Sequence, residues 1–346
     1  MTRHRSQPAP RPLGALLSAV LLVIGATPMA EAAQTPQTSE PQGDSALIIT
    51  LQTENDIVGR SDRNYTAGLR LGITLPTGVM PAFVSAAGHA LLGDGTQRLS
   101  LDLSQTLFTP RDTNAVVPNP RDRPYAAVLT SQFNLVQDTD RTRTLIGLGL
   151  GVLGPFAQGE ALQNGFHDLI RDPAARGWSH QIRNMPVVQI VAARIWRLPI
   201  VGDTGDGLEV DVVPSIAGAV GTWRDYAQVG GQIRIGQGLK SDYGTSRISP
   251  GLTGADAYTP TRDFVWYVFA GGDGQAVAWD ATLDGNEFSS GPRVNRNWFV
   301  GEMEAGFATV WHGVRFSYTH VFQTQEFRGQ RGGLFQFGSF TIAARF

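Results

Sequence analysis

Between residues 65 and 75 the chain alternates without a break: Tyr65, Ala67, Leu69, Leu71, Ile73 and Leu75 share one face, and Thr66, Gly68, Arg70, Gly72 and Thr74 share the other. Only an extended backbone sends successive side chains to opposite faces, so this period of two predicts a strand. The pattern recurs at 45–56, 98–108, 125–136, 143–152, 186–197, 207–219, 227–239, 263–279, 298–310, 313–326 and 334–346, giving about 12 segments. The stretch 263–279 contains Gly271-Gly272-Asp273-Gly274 and could divide into two short strands. With 41 glycines, 20 prolines and only 17% charged residues, the composition also argues against a helical bundle.

The two faces decide what kind of all-β fold this is. Val229, Gly231, Ile233 and Ile235 alternate with Gln228, Gln232 and Arg234, and Met303, Ala305 and Phe307 alternate with Glu302, Glu304 and Gly306. Charged residues along a hidden face are costly in a dry sandwich core. They suit a closed barrel with a polar interior and an apolar exterior that meets lipid. Trp196, Trp223, Trp266, Trp298 and Trp311 fall near strand ends, as interfacial girdles do. The last segment ends in Phe346, with Phe340, Ile342 and Ala344 on its face, and so resembles the terminal assembly signal of bacterial outer-membrane barrels. The expected fold is an all-β, closed antiparallel transmembrane β-barrel of about 12 strands with a short extracellular loop helix.

The start of the chain reads as an export address. Arg3, Arg5 and Arg11 precede an apolar run over 13–26, and Ala30-Glu31-Ala32 follows as a cleavage motif. The predicted organisation is a signal peptide at 1–32, a disordered lead-in at 33–44 and one barrel domain at 45–346. The absence of Cys excludes disulfides and thiolate chemistry, and 28 basic against 30 acidic residues give no basic field for nucleic acid. No protein partner is implied.

Two segments break the strand rhythm and carry reactive side chains. In the first, Asn55, Asp56, Asp62 and Thr66 are gathered by a short polar loop between the first two strands. A carboxylate beside amide and hydroxyl oxygens suits a hard cation such as calcium; an Asx-rich turn serving its own backbone gives the same pattern. In the second, Leu162, Phe166, Leu169 and Ile170 recur at helical spacing, with Gln163 and His167 four residues apart on the helix flank. A histidine there suits general-base work near neutral pH, or is an ordinary surface residue. His320, within a strand, is expected to face the lumen. Neither a G-x-S-x-G elbow nor an H-E-x-x-H zinc motif occurs.

Taken in order, Asn55-Asp56, Asp62-Arg63-Asn64-Tyr65-Thr66-Ala67-Gly68, Thr109-Pro110, Asp122-Arg123-Pro124-Tyr125-Ala126 and Gln163…His167…Gly177-Trp178…Gln181…Asn184…Pro186 resemble the outer-membrane lipid A 3′-O-deacylases. The resemblance implies a hydrolase in the bacterial outer membrane that removes the ester-linked 3′-acyloxyacyl chain from lipid A, the anchor of lipopolysaccharide, in the outer leaflet. It implies His167, Asn55, Asp56 and Thr66 as active-site residues. His167 would activate water and Ca2+, held in part by Asp56, would stabilise the oxyanion. Arg63 and Arg123 are candidates for the lipid A phosphates, although Asp122-Arg123-Pro124-Tyr125 also reads as a structural corner. An outer-membrane phospholipase and a non-enzymatic pore or scaffold barrel are the alternatives. Strand parity sets Asn55 opposite Asp56 and Thr66, so convergence of the three requires a bulge or a strand end.

Overall fold

The computed structural model describes residues 43–59, 63–202, 207–248 and 257–346. The export address, the lead-in up to residue 42 and Asp62 lie outside the described residues. The strands are β1 (Ile48–Asn55), β2 (Asn64–Thr74), β3 (Thr96–Thr109), β4 (Ala126–Asp138), β5 (Thr142–Leu153), β6 (Met185–Trp196), β7 (Leu198–Val201), β8 (Glu209–Gly221), β9 (Arg224–Gln237), β10 (Phe264–Asp280), β11 (Phe299–Trp311), β12 (Val314–Gln323) and β13 (Phe335–Arg345). Apart from β7, each strand pairs antiparallel with the next in the chain, β6 joins β8 and β1 joins β13, so that twelve strands close into a barrel. β7 pairs only with β8 and lies outside that ring; its register (Leu198↔Val212) continues that of β6 (Ile195↔Ser215) past Arg197. The glycine-bearing stretch is not divided: β10 runs unbroken through Gly271-Gly272-Asp273-Gly274.

The expected polarity of the faces is realised. Val229, Ile233, Ile235, Met303, Phe340 and Ile342 are exposed on the outer wall, while Gln52, Arg70, Arg234, Glu302 and Glu304 are buried inside. His320 corrects its expectation: Arg315, Ser317 and Thr319 are the buried set on β12, and His320 alternates outward against Phe322 and the Tyr318 hydroxyl.

The connections alternate between two ends. One end holds both chain ends of the barrel and the tight turns at 139–141 and 312–313. It also carries helix α1 (Ala82–Leu92). The other end carries the longer loops at 110–125, 154–184, 281–298 and 324–334, including helix α2 (Gly159–Ile170) and the short helix α3 (Ala281–Asp284).

The lumen is filled by the chain itself. After β9 the residues 238–248 fold inward rather than crossing directly to β10. Asp242 pairs with Arg234 at 2.5 Å and with Arg315 at 3.0 Å, and Asp211 holds Arg234 from the wall. Further along, the Gln52 amide donates to the Ser246 carbonyl at 2.9 Å and the Ile248 N–H donates to Glu54 at 2.8 Å. Arg247 meets Asp273, Glu302 and Glu304 together. Since Glu54 is the penultimate residue of β1, this segment climbs from the terminal end almost to the opposite rim.

Asp44 corrects the lead-in boundary, being buried and clasped by Arg98 and Arg345 at 2.7 Å each. Burial alone would raise its carboxyl, but the hydrogen bonds from Arg345 and the nearby Arg98 charge hold it well below the usual carboxylate range. A depressed native pKa stabilises the fold above the ordinary value of the unfolded chain. The clasp is therefore expected to hold through mild acid and to loosen only as the pH falls below the usual carboxylate range, as mobility on cold electrophoresis against pH would show.

Candidate active site

The first half of the site sits where β1 and β2 end. β1 stops at Asn55, and Asp56 opens a turn of 3-10 helix in which the Asn55 Oδ1 accepts the Ile57 N–H at 2.7 Å. Asp56 is buried, and its Oδ2 accepts the Arg63 N–H across the loop at 2.8 Å. On β2 the register against β3 slips between Tyr65 and Ala67, so Thr66 is the extra residue of a bulge. This is the irregularity that strand parity required. Tyr65 turns inward to donate its hydroxyl to Glu54 at 2.7 Å, and the Thr66 Oγ1 lies 2.7 Å from the Thr109 Oγ1.

Thr109 fixes which side of the wall this is. On β3 the exposed outer row is Leu101 and Leu103, continued by Gln105, Leu107 and Thr109, whereas Asp102 and Phe108 point to lumen partners. The Thr66–Thr109 pair thus belongs to the outer wall near the rim, not to the lumen.

The second half is laid against the same wall by α2. The Gln105 amide donates to the Ala157 carbonyl just before the helix, and α2 packs on β3 and β4. Leu162 joins a cluster of Leu107, Tyr125, Ala127, Ala157 and Trp178, and Ala67, paired across from Asn55, joins it too. The loop halves that the sequence singled out therefore share one packed cluster. The helix itself is turned opposite to ordinary amphipathic expectation. Gln163 and His167, each 4% exposed, face the wall, while Phe166, Leu169 and Ile170 are 40%, 79% and 47% exposed. The flank positions of the sequence reading are the buried face.

Both buried polar residues are oriented by neighbours. The Trp178 Nε1 donates to the Gln163 Oε1 at 2.8 Å. The His167 Nδ1 lies 2.6 Å from the Pro173 carbonyl, which can only accept, so Nδ1 carries the proton and Nε2 is the basic nitrogen. The Asp172 carboxylate stands 3.8 Å from Nδ1. Asn164 pins the following loop by accepting the Ala175 N–H at 2.8 Å.

Gly159 allows this approach. A Cβ there would stand 2.5 Å from the Ala127 Cβ and 2.7 Å from the Trp178 ring. Gly159→Val is expected to lift the first turn of α2 from the wall at a local cost of about 1–3 kcal/mol, read as faster proteolysis of the 154–184 loop with the barrel still folded.

Of the two arginine candidates, Arg123 is fully buried. It pairs with Glu326, donates to the Thr282 Oγ1 at 3.0 Å and lies over the Phe108 ring, which is the geometry of the structural corner. Arg63 lines a cavity at the barrel mouth. Sequence reasoning passed over Thr109 and Gln105 as positioning residues; their place in the outward row of β3 was the signal.

For a hard cation the described residues supply oxygen donors of the right type, with Asp56 as the carboxylate. Among the described residues no group of three or more His, Asp or Glu forms a ready metal cage.

The model of a family described as "Outer membrane protein LpxR" matches residues 16–346. Among solved structures, LpxR from Salmonella typhimurium is similar in fold, with a TM-score of 0.70, 23% identity, and 86% of this chain and 100% of that one covered. The β domain of the Bordetella autotransporter BrkA aligns with a TM-score of 0.39 at 9% identity, over 88% of this chain and 99% of that one. No curated protein matches.

Proposed function

This chain belongs to the outer membrane protein LpxR family and is a β-barrel of the bacterial outer membrane; from that membership and the site on its outer wall we propose that it is a lipid A deacylase, a carboxylic ester hydrolase that releases the 3′-acyloxyacyl chain. The observation that carries the reading is the inverted helix. α2 turns Gln163 and His167 to the wall, with Leu162 in the cluster that also takes in Leu107 and Ala67, and turns Phe166, Leu169 and Ile170 outward. A polar face turned to the wall under a helix that exposes Phe166, Leu169 and Ile170 beside the lipid-facing surface favours an amphiphile that keeps its chains in the bilayer over a soluble substrate.

In the proposed reaction the Nε2 of His167 takes a proton from water as the oxygen attacks the ester carbonyl. The same nitrogen then returns the proton to the departing sugar oxygen, giving a free fatty acid and a hydroxyl. Pro173 holds the imidazole in the tautomer this requires, and Trp178 holds Gln163 one helical turn away. Asn55 and Thr66 orient the carbonyl or the water. When bound, Ca2+, with Asp56 among its ligands, would supply positive charge to the developing oxyanion.

The test is mass spectrometry of lipid A from cells expressing the wild-type chain, with calcium present or chelated. Loss of the 3′-acyloxyacyl mass with calcium and its retention under chelation is the expected result. Unchanged lipid A with the folded barrel in the membrane would refute the reading, and deacylated glycerophospholipid instead would point to a phospholipase. The pore alternative is disfavoured by the segment 238–248 in the lumen.

A further inference from the structure

A second concave surface opens at the loop-bearing end, above the lumen and away from α2. It is a cavity of about 1120 Å³ built from four connections: the β1–β2 loop, the β3–β4 loop, the β10–β11 loop and the β12–β13 loop. Among the described residues six arginines line it: Arg63, Arg111, Arg121, Arg293, Arg328 and Arg331.

Their state differs from that of the arginines in the lumen. Arg70, Arg234, Arg247 and Arg315 are each matched to carboxylates in the lumen. None of the six at the mouth makes an ion pair with a described carboxylate. Five of them are exposed, and Arg63, half-buried, holds its Nε buried with no hydrogen-bond partner. Two described acids, Asp112 and Asp122, share the cavity, and both are engaged by backbone. Asp122 accepts the Arg111 and Arg123 N–H groups at 3.0 and 2.8 Å, and Asp112 accepts that of Asn114 at 3.1 Å. The floor is rigid, because Arg123, Glu326 and Thr282 tie three of the four connections together beneath it.

Like charges gathered in one concavity repel unless an anion lies among them, and guanidinium groups match phosphate and carboxylate oxygens in paired hydrogen bonds. We propose that this mouth cavity is a binding site for a multiply charged anionic saccharide, the phosphorylated sugar head of a glycolipid in the outer leaflet. The volume suits a few sugar rings rather than a single phosphate ion. The cavity and α2 stand at the same end of the barrel, so one glycolipid can place its head in the mouth and its esters at the outer wall. The inference rests on the proposed lipid A substrate for the identity of the ligand, but its binding chemistry is tested separately.

The experiment uses the full barrel in an uncharged detergent, carrying His167→Ala so that no turnover intervenes. The probe is the water-soluble phosphorylated oligosaccharide obtained by complete deacylation of lipopolysaccharide, titrated calorimetrically. Saturable binding that weakens as salt rises is expected. Enzymatic dephosphorylation of the probe, or the triple substitution R293Q/R328Q/R331Q, should each weaken binding at least tenfold, with folding checked by heat-dependent electrophoretic mobility. Unchanged affinity in the folded triple variant would overturn the site. Equal displacement of the probe by inositol hexakisphosphate would overturn its assignment to a glycolipid head and leave a general polyanion site. Binding of the probe by a chain whose wild type leaves lipid A unaltered would sustain this site while refuting the deacylase.

Discussion

His167→Ala should lower ester hydrolysis of lipid A by about 10²- to 10⁴-fold, the range lost when a positioned general base is removed. The expectation follows from the tautomer set by Pro173, which leaves Nε2 as the proton acceptor on the buried face of α2. Loss of a group that acts in the transition state lowers kcat and kcat/KM together, so initial rates over a range of substrate should show an unchanged KM. The barrel has no reason to unfold, because the wall strands pair without α2. A His167→Ala variant that is folded and still turns over within threefold of wild type would remove His167 from the mechanism.

Asp242→Ala is expected to produce the largest loss of stability, about 3–5 kcal/mol, the range for removing one partner of a buried ionic network. Asp242 lies between Arg234 and Arg315, both fully buried, and it also accepts the Tyr267 hydroxyl at 3.0 Å. Without it, the ion pair between Arg315 and this segment is lost and Asp211 is left as the carboxylate on Arg234. Unfolding in urea, followed by loss of the compact electrophoretic form, should shift to markedly lower denaturant. Asp94→Ala, at an exposed position in the connection after α1, should stay within about 0.5 kcal/mol of wild type. Equal midpoints for the two variants would show that Asp242 does not anchor the lumen segment.

Much of the barrel was legible in the sequence because its determinant is local. Alternation at Val229, Ile233 and Ile235 against Gln228, Gln232 and Arg234 names the strand, its faces and the polarity of the lumen at once. Helix α2 was legible by its spacing, but its orientation was not. Periodicity separates an apolar stripe from a polar one and is silent about which of them meets the solvent, and beside a lipid-facing wall the usual assignment reverses. The Asn55–Asp56–Thr66 group announced itself as a conflict of parity, which the bulge at Thr66 resolves. Position and type of such a bulge depend on pairing with β3, which is not written locally.

Three features lay beyond sequence reasoning. Segment 238–248 resembles any connection until its Asp242 is matched to Arg234 and Arg315, and its Arg247 to Asp273, Glu302 and Glu304, on the wall strands. The cationic mouth is hidden by a near-balanced composition, since balance over the whole chain says nothing about where the charges are sorted. Arg123 looked equally suited to a phosphate or to a corner, and only its burial against Glu326 and Thr282 decides the matter.

The occupied lumen also has a meaning for the cell that carries this protein. A barrel threaded by its own chain, with Arg247 and Asp242 riveting that chain to the wall, is expected to conduct little when reconstituted in a planar bilayer. On that expectation many copies could stand in the envelope with little added leakage, a consequence of filling the lumen with the chain itself.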